Sequence, residues 1–194
     1  MFTIVTAPNS VLSEIAKPIS RVDASVVKII EEMKKTLEKT VDPIGVGLAA
    51  PQIGKSLRIF IAKPTDDSKI LVFINPFITQ IDTDLKQTRT DENQRKSSPK
   101  SAKISNKKKL EGCLSLPNIW GPVLRSSSIT LSFLDEKGEH HEQKFTDFLA
   151  TIIQHETDHL NGVLFPKRVL EQKGILYKSH KDEKNEDEFE EIEI

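Results

Sequence analysis

Nine consecutive residues, Gln154-His155-Glu156-Thr157-Asp158-His159-Leu160-Asn161-Gly162, contain the pattern H-E-x-x-H. On a helix this spacing sets two imidazoles one turn apart on one face, with a carboxylate beside them, which is what a single metal ion needs. Glu156 adjoins a ligand position but is poorly placed to be a ligand; its natural role is to take a proton and return it. Two imidazoles do not complete a site. In the longer form of the motif a third His stands six residues after the second, and here that position is Phe165. A downstream glutamate is another route to a third ligand, and the C-terminal residues offer several. A better candidate lies upstream, in Glu111-Gly112-Cys113-Leu114-Ser115-Leu116-Pro117. Cys113 is the only cysteine in the chain. A thiolate with two imidazoles leaves one coordination position open, as catalytic rather than structural sites do. An ion so held lowers the pKa of a coordinated water toward ~7 and polarises a carbonyl. The chemistry is hydrolysis of an amide or ester.

Several elements must position these groups. Thr146 is placed as the N-cap of a metal helix running to Leu160, and Asn161-Gly162 supplies its stop. Phe148, Ile152, His155 and His159 share one face, so the histidines extend an apolar stripe. Asp23 offers a second N-cap. Val26, Ile30, Met33 and Leu37 follow at helical spacing, which predicts an amphipathic helix from about Ala24 to Thr40. Leu57 to Ala62 and Lys69 to Ile74 read as short strands, with Asn75-Pro76 closing the second and Phe77 to Ile81 beginning a third. Ile129 to Leu134 and Glu139 to Phe145 read as paired strands about Asp135-Glu136-Lys137-Gly138. His140 and His141 fall on that exposed, charged strand and read as surface residues. Ile4 to Ile19, with Pro8 and Pro18, reads as loop and short turns.

Composition bounds the rest. At 194 residues the chain fits one domain with a substantial core. A formal net charge of -1 points to no bulk polyelectrolyte partner. A lone cysteine forms no internal disulfide, no stretch reaches the ~20 apolar residues of a membrane span, and no signal peptide pattern opens the chain. These features predict a cytoplasmic protein. The charge is unevenly spread. Between Lys86 and Lys109 nine Lys or Arg face two acids, with scarcely an apolar residue. That composition predicts a mobile insertion over about 82–109; contact with the phosphates of a nucleic acid is the sharper reading. Beyond Arg168 a short amphipathic stretch reaches about Lys178. From Asp182 onward acids dominate, which predicts a disordered tail. The domain reading is therefore a catalytic unit over 1–170 and an extension over 171–194.

Beside these stretches stands Gly45-Val46-Gly47-Leu48-Ala49-Ala50-Pro51-Gln52. A phosphate loop is the obvious misreading of its glycines, but the Lys-Ser/Thr ending is missing. Together the three segments resemble the peptide deformylases, whose motifs G-x-G-L-A-A-x-Q, E-G-C-L-S and Q-H-E-x-D-H-L occur intact and in order. The likeness runs from about Ile4 to Val169. It implies an α+β fold with antiparallel β-sheets packed around a central metal-binding helix. The implied activity is hydrolytic removal of the formyl group from N-formylmethionyl nascent polypeptides, releasing formate. The implied ligands are Cys113, His155 and His159, with Fe2+ first and Zn2+, Ni2+ or Co2+ as substitutes. Glu156 becomes the proton carrier, while the Gln52 side chain and the Leu114 backbone N–H become oxyanion donors. Glu111 and Arg125 resemble the family's supporting ion pair; Asp158 is read either as positioning the helix or, with equal weight, as a plain structural salt bridge. Gly45, Val46, Gly47, Trp120, Phe148 and Ile152 are the expected peptide-binding residues, with Val46, Leu114, Phe148 and Ile152 about the methionine side chain. No membrane and no nucleic-acid sequence recognition are implied.

Three features depart from the family pattern. Trp120 stands where many bacterial members carry Arg, Asp147 where Gly is frequent, and the basic insertion is long. Two rival readings follow from the same residues. A general H-E-x-x-H metallopeptidase would use a ligand other than Cys113, and a non-catalytic relative would bind peptides or ribosomes around a structural metal.

Overall fold

The structure is a computed structural model in which residues 2–40, 44–82, 110–181 and 187–193 are described. The basic insertion therefore falls almost wholly outside the described residues. Helix α1 (Ala24–Glu38) starts where the Asp23 carboxylate accepts the N–H groups of Ser25 and Val26, at 2.9 and 3.0 Å. Its predicted stripe, Val26, Ile30, Met33 and Leu37, is buried.

Two antiparallel sheets follow. The first has the order β1 (Gly47–Ala49), β2 (Ile59–Ala62), β3 (Leu71–Ile81), β6 (Ser128–Leu134) and β7 (His140–Thr146). The second has the order β4 (Leu110–Cys113), β5 (Leu116–Pro122), β8 (Tyr177–Lys181) and β9 (Asp187–Glu191). Strand β2 explains the layering. Ile59 and Ile61 pack with the α1 stripe, whereas Phe60 and Ala62 pack with Ala150, Ile152 and Ile153 of helix α2 (Asp147–Leu160). Successive side chains point to opposite faces, so a strand covered on both sides reads as an unbroken apolar run. A last helix, α3 (Phe165–Glu171), packs on the second sheet through Phe165 and Val169.

Two expectations change. Asn75-Pro76 does not end a strand, because β3 runs through it from Leu71 to Ile81, with a register shift between Ile74 and Phe77. Asn75 takes a positive φ of 50° there, and its side-chain amide pairs with both the N–H and the C=O of Ile19, at 2.8 and 2.7 Å. A bulge is one of the few places where a proline, lacking an N–H, fits inside a sheet. The acidic tail is not wholly irregular either. Residues Asp187–Glu191 form β9, whose register sets Glu190 against Lys178 and Glu188 against His180. Opposite charges across a strand pair stabilise it, and Phe189 and Ile192 give the run apolar anchors. Helix α3 crosses the predicted boundary near residue 170, and β8 pairs with β5 in the second sheet. Among the described residues no helix is long and apolar enough to cross a membrane.

Candidate metal centre

Helix α2 threads between the sheets and carries His155, Glu156 and His159. Its first residue, Asp147, has φ 56°, a left-handed conformation that glycine adopts most readily. Its carboxylate accepts from the Thr146 hydroxyl at 2.9 Å, so Thr146 holds the N-cap position without making the capping bond. At the other end Asn161 is the C-cap and Gly162 takes φ 69°. A Cβ at Gly162 would lie 2.6 Å from the Ser13 carbonyl oxygen. Only glycine fits that stop.

One turn apart, the two histidines meet the residue that the second sheet supplies. Cys113 ends β4, and its Sγ lies 3.2 Å from His159 Nε2. One donor atom from each of Cys113, His155 and His159 falls within 4.8 Å of the others. His155 Nδ1 faces Glu111 Oε2 at 3.1 Å, so its Nδ1–H is donated there and Nε2 is left for a metal. Phe165, which replaces the third His of the longer motif, stacks on the His155 ring with centroids 6.2 Å apart. The His159 Nδ1 atom and the Glu156 Oε2 atom are buried with no partner. A thiol and two imidazoles that converge beside an unpaired carboxylate fit a divalent transition ion.

Gln52 completes the cluster from the 3-10 turn Ala50–Ile53. The Ala49 N–H donates to its Oε1 at 2.8 Å, which turns Nε2 toward Cys113 Sγ, 3.5 Å away. Gln52 is 2 % exposed. Gly47 has a specific reason to be glycine, since a Cβ there would run into the Glu156 carboxylate. Strand β1 can therefore lie against the helix at Glu156.

Electrostatics separate the groups. Burial pushes Glu156 up to about 7, against the pull of His155, while Glu111 adds to the rise. Glu111 is held down at about 2: burial opposes this, but the hydrogen bonds from His155 and Arg125 outweigh it. Burial also opposes protonation of His155, which its hydrogen bonds to Cys113 and Glu111 nevertheless favour; burial and the charge of His155 lower His159. Behind His155 the charges alternate. Arg125 donates to both Glu111 oxygens, at 2.9 and 3.0 Å, and to Asp158 at 2.7 Å. Arg168 of α3 then donates twice to Asp158, at 2.7 and 3.1 Å. Sequence reasoning missed Arg168. A hint lay in Asp158, an acid on a buried helix that needs a cation beyond Arg125.

The expected peptide-binding residues are not all gathered at the metal ligands. Gly45, Val46 and Gly47 lead into β1, and Leu114 follows Cys113 directly. Ile152 is buried in the core beneath β1, and Phe148 is 46 % exposed one turn before it. Trp120 lies farther out, opposite Gly112 in the β4–β5 register. A second group of potential ligands, Asp135, Glu139 and His141, closes the β6–β7 turn. There Asp135 accepts the Lys137 and Glu139 N–H groups at 2.9 Å and pairs with His141 at 3.0 Å.

Comparison with known proteins agrees with this arrangement. A family model described as polypeptide deformylase matches residues 1–174. The peptide deformylase of Chlorobaculum parvum is 37 % identical over 171 residues, covering 86 % of this chain and 78 % of its own. That of Pseudothermotoga lettingae is 41 % identical over 157 residues, covering 81 % and 76 %. The crystal structure of the Thermotoga maritima peptide deformylase is similar with a TM-score of 0.68 at 33 % identity, over 87 % of this chain and 97 % of that one. The Synechococcus elongatus enzyme, solved with actinonin, gives a TM-score of 0.69 at 33 % identity, over 86 % and 78 %.

Proposed function

The chain belongs to the polypeptide deformylase family: it is a metal-dependent hydrolase that removes the formyl group from new peptides, and we propose that Cys113, His155 and His159 hold its metal while Glu156 moves the proton. A divalent ion in that set supplies a Lewis acid for the formyl carbonyl and an acidified water. Iron(II) is our first assignment, with zinc, nickel or cobalt as substitutes; a thiolate with imidazoles accommodates each.

The residues divide the remaining work. Glu156, buried beside His155, takes a proton and returns it to the departing amine. Gln52, oriented by Ala49, donates its amide hydrogens to the developing oxyanion together with the Leu114 backbone N–H. One such donor is worth ~2.7–4 kcal/mol of transition-state stabilisation. Among the described residues, strands β1 and β4 are the outer strands of their sheets, and both end at the cluster. An extended peptide can pair with such edges, which gives Gly45, Val46 and Gly47 their role. Val46, Leu114, Phe148 and Ile152 receive the methionine side chain. The setting is the cytoplasm, where formylated chains emerge. Ribosomal contact by the basic residues 86–109 is checked by salt-sensitive ribosome binding that a deletion abolishes.

The observation that carries this reading is the convergence of Cys113, His155 and His159 with Glu156 and Gln52. The test is formate release from formyl-Met-Ala-Ser by protein purified anaerobically with ferrous iron. Glu156→Ala should abolish release while keeping the metal. A fully metallated wild type that releases no formate ends this reading.

A further inference from the structure

The residues matched by the family model end at 174, and the chain then adds β8 and β9 to the second sheet. One face of that sheet can be followed across all four strands. Gly112 of β4 lies opposite Trp120 of β5, and Trp120 lies opposite Tyr177 of β8. Ser179, two residues on and hence on the same face, lies opposite Phe189 of β9. The contacts follow that register. Trp120 Nε1–H donates to Ser179 Oγ at 3.0 Å. Phe189 meets the indole edge to face, with centroids 6.1 Å apart and planes at 83°. On its other side the six-membered ring of the indole covers Gly112, where a Cβ would lie 2.7 Å from Cζ3 and 2.8 Å from Cε3. Any side chain at 112 would displace it.

Glu111 and Cys113, on either side of Gly112, turn toward α2 and its histidines. Gly112 and the indole therefore occupy the opposite face of the same strand. Among the described residues β4 is the outer strand of its sheet, so the ring spans it toward the edge where an extended peptide would add. Aromatic rings offer large apolar contact area, and they bind best when their orientation is already fixed. Two groups fix this one, the Ser179 hydroxyl and the Phe189 ring, and both belong to the hairpin.

We propose that the β8–β9 hairpin pins the Trp120 ring across Gly112 at the open edge of β4, where it holds an apolar side chain of the formylated peptide downstream of methionine. This rests on the deformylase reading and on peptide addition at β4. In it Trp120 touches the substrate, while Ser179 and Phe189 are positioning residues that act through it. The hairpin becomes a specificity element that lies beyond the residues matched by the family model.

Trp120 is the only tryptophan in the chain, so its emission reports this contact directly. The experiment uses the full chain loaded with nickel, with formyl-Met-Ala-Leu and formyl-Met amide as substrates. Phe189→Ala and Ser179→Ala should both shift the emission. Each should raise KM for the tripeptide about fivefold and leave kcat, metal content and the formyl-Met amide KM within about twofold. Trp120→Ala should give the same KM, with no further rise when combined with Phe189→Ala, because coupled residues do not add. An unmoved emission, or a shifted emission with an unmoved KM, overturns the proposal. So does a fall in kcat together with metal content, which would make the hairpin a support for the Cys113 strand. A wild type that releases no formate from either substrate defeats the deformylase reading instead, a result distinct from normal turnover with unchanged KM.

Discussion

Helix α2 meets the two sheets in different ways. Toward the first sheet it presents Ala150, Ile152 and Ile153, all 3 % exposed or less, against Phe60, Phe73, Ile129 and Leu131. Toward the second it presents His155 and Asp158, which meet Glu111 and Arg125 through hydrogen bonds of 2.7 to 3.1 Å. Apolar burial is non-directional; it decides where the helix lies. Charge-assisted hydrogen bonds are directional and strong; they decide which His155 nitrogen is left facing Cys113 and His159. The two histidines inherit the difference. His155 is held through its Nδ1, whereas the His159 Nδ1 is buried without a partner.

Breaking the ionic face should have the largest effect. Arg125 stands between Glu111 and Asp158 with 8 % of its side chain exposed. Arg125→Ala takes from two buried carboxylates the cation they share, leaving Glu111 with His155 and Asp158 with Arg168. Removing one partner of a buried pair costs about 3–5 kcal/mol. Loss of support for a ligand histidine also weakens metal binding, by roughly 10–100-fold. Urea unfolding of the metal-free protein and chelator competition measure the two effects separately.

The acid limb of stability should come from the same face. Glu111 is held at about 2, below its ordinary 4.5, so between those values the folded chain binds fewer protons than the unfolded one. Its contribution is complete above about pH 4.5 and is lost as pH falls toward 2, amounting to roughly 3 kcal/mol at most. In metal-free protein, Glu111→Gln should flatten that limb of the unfolding curve. A limb of unchanged slope would assign it to other carboxylates.

The apolar face should fail differently. Ile153 is fully buried, and Ile153→Ala should cost about 2–4 kcal/mol of stability through lost transfer energy and a cavity. Metal affinity of the folded protein should barely change. If affinity fell as far as in Arg125→Ala, the two faces would not be separable.

What could be read beforehand follows the same division. The common helix face of His155 and His159, with Glu156 beside them, was legible because H-E-x-x-H fixes relative position by helix geometry alone. The α1 stripe was legible because burial of one face imposes a period, and the β2 run because burial of both faces leaves it unbroken. The β3 bulge was not, since Asn75-Pro76 ordinarily ends a strand, and only the distant Ile19 backbone supplies the missing partners. The β9 strand was hidden for a similar reason: its acids look solvated until Lys178 and His180 lie across from them. The glycines at 45 and 47 allowed a close backbone approach, but only the fold shows that at Gly47 the approaching group is the Glu156 carboxylate. Each of these depends on a partner far away in sequence.

Arg168 tests how far the ionic face extends. It donates to Asp158 at 2.7 and 3.1 Å but keeps 35 % of its side chain exposed, and a further bond of 3.0 Å goes to Glu171. Solvent at that end screens the pair, so Arg168→Ala should cost only about 1 kcal/mol or less. Asp158 would still keep Arg125 as its partner, and Glu111 would still hold His155. Metal affinity should therefore fall by no more than about threefold, far short of the loss in Arg125→Ala. Chelator competition on the two variants side by side decides the matter. Equal losses would mean that Asp158 needs both cations to keep Arg125 on Glu111, and the ionic face would then reach from His155 to the surface of α3.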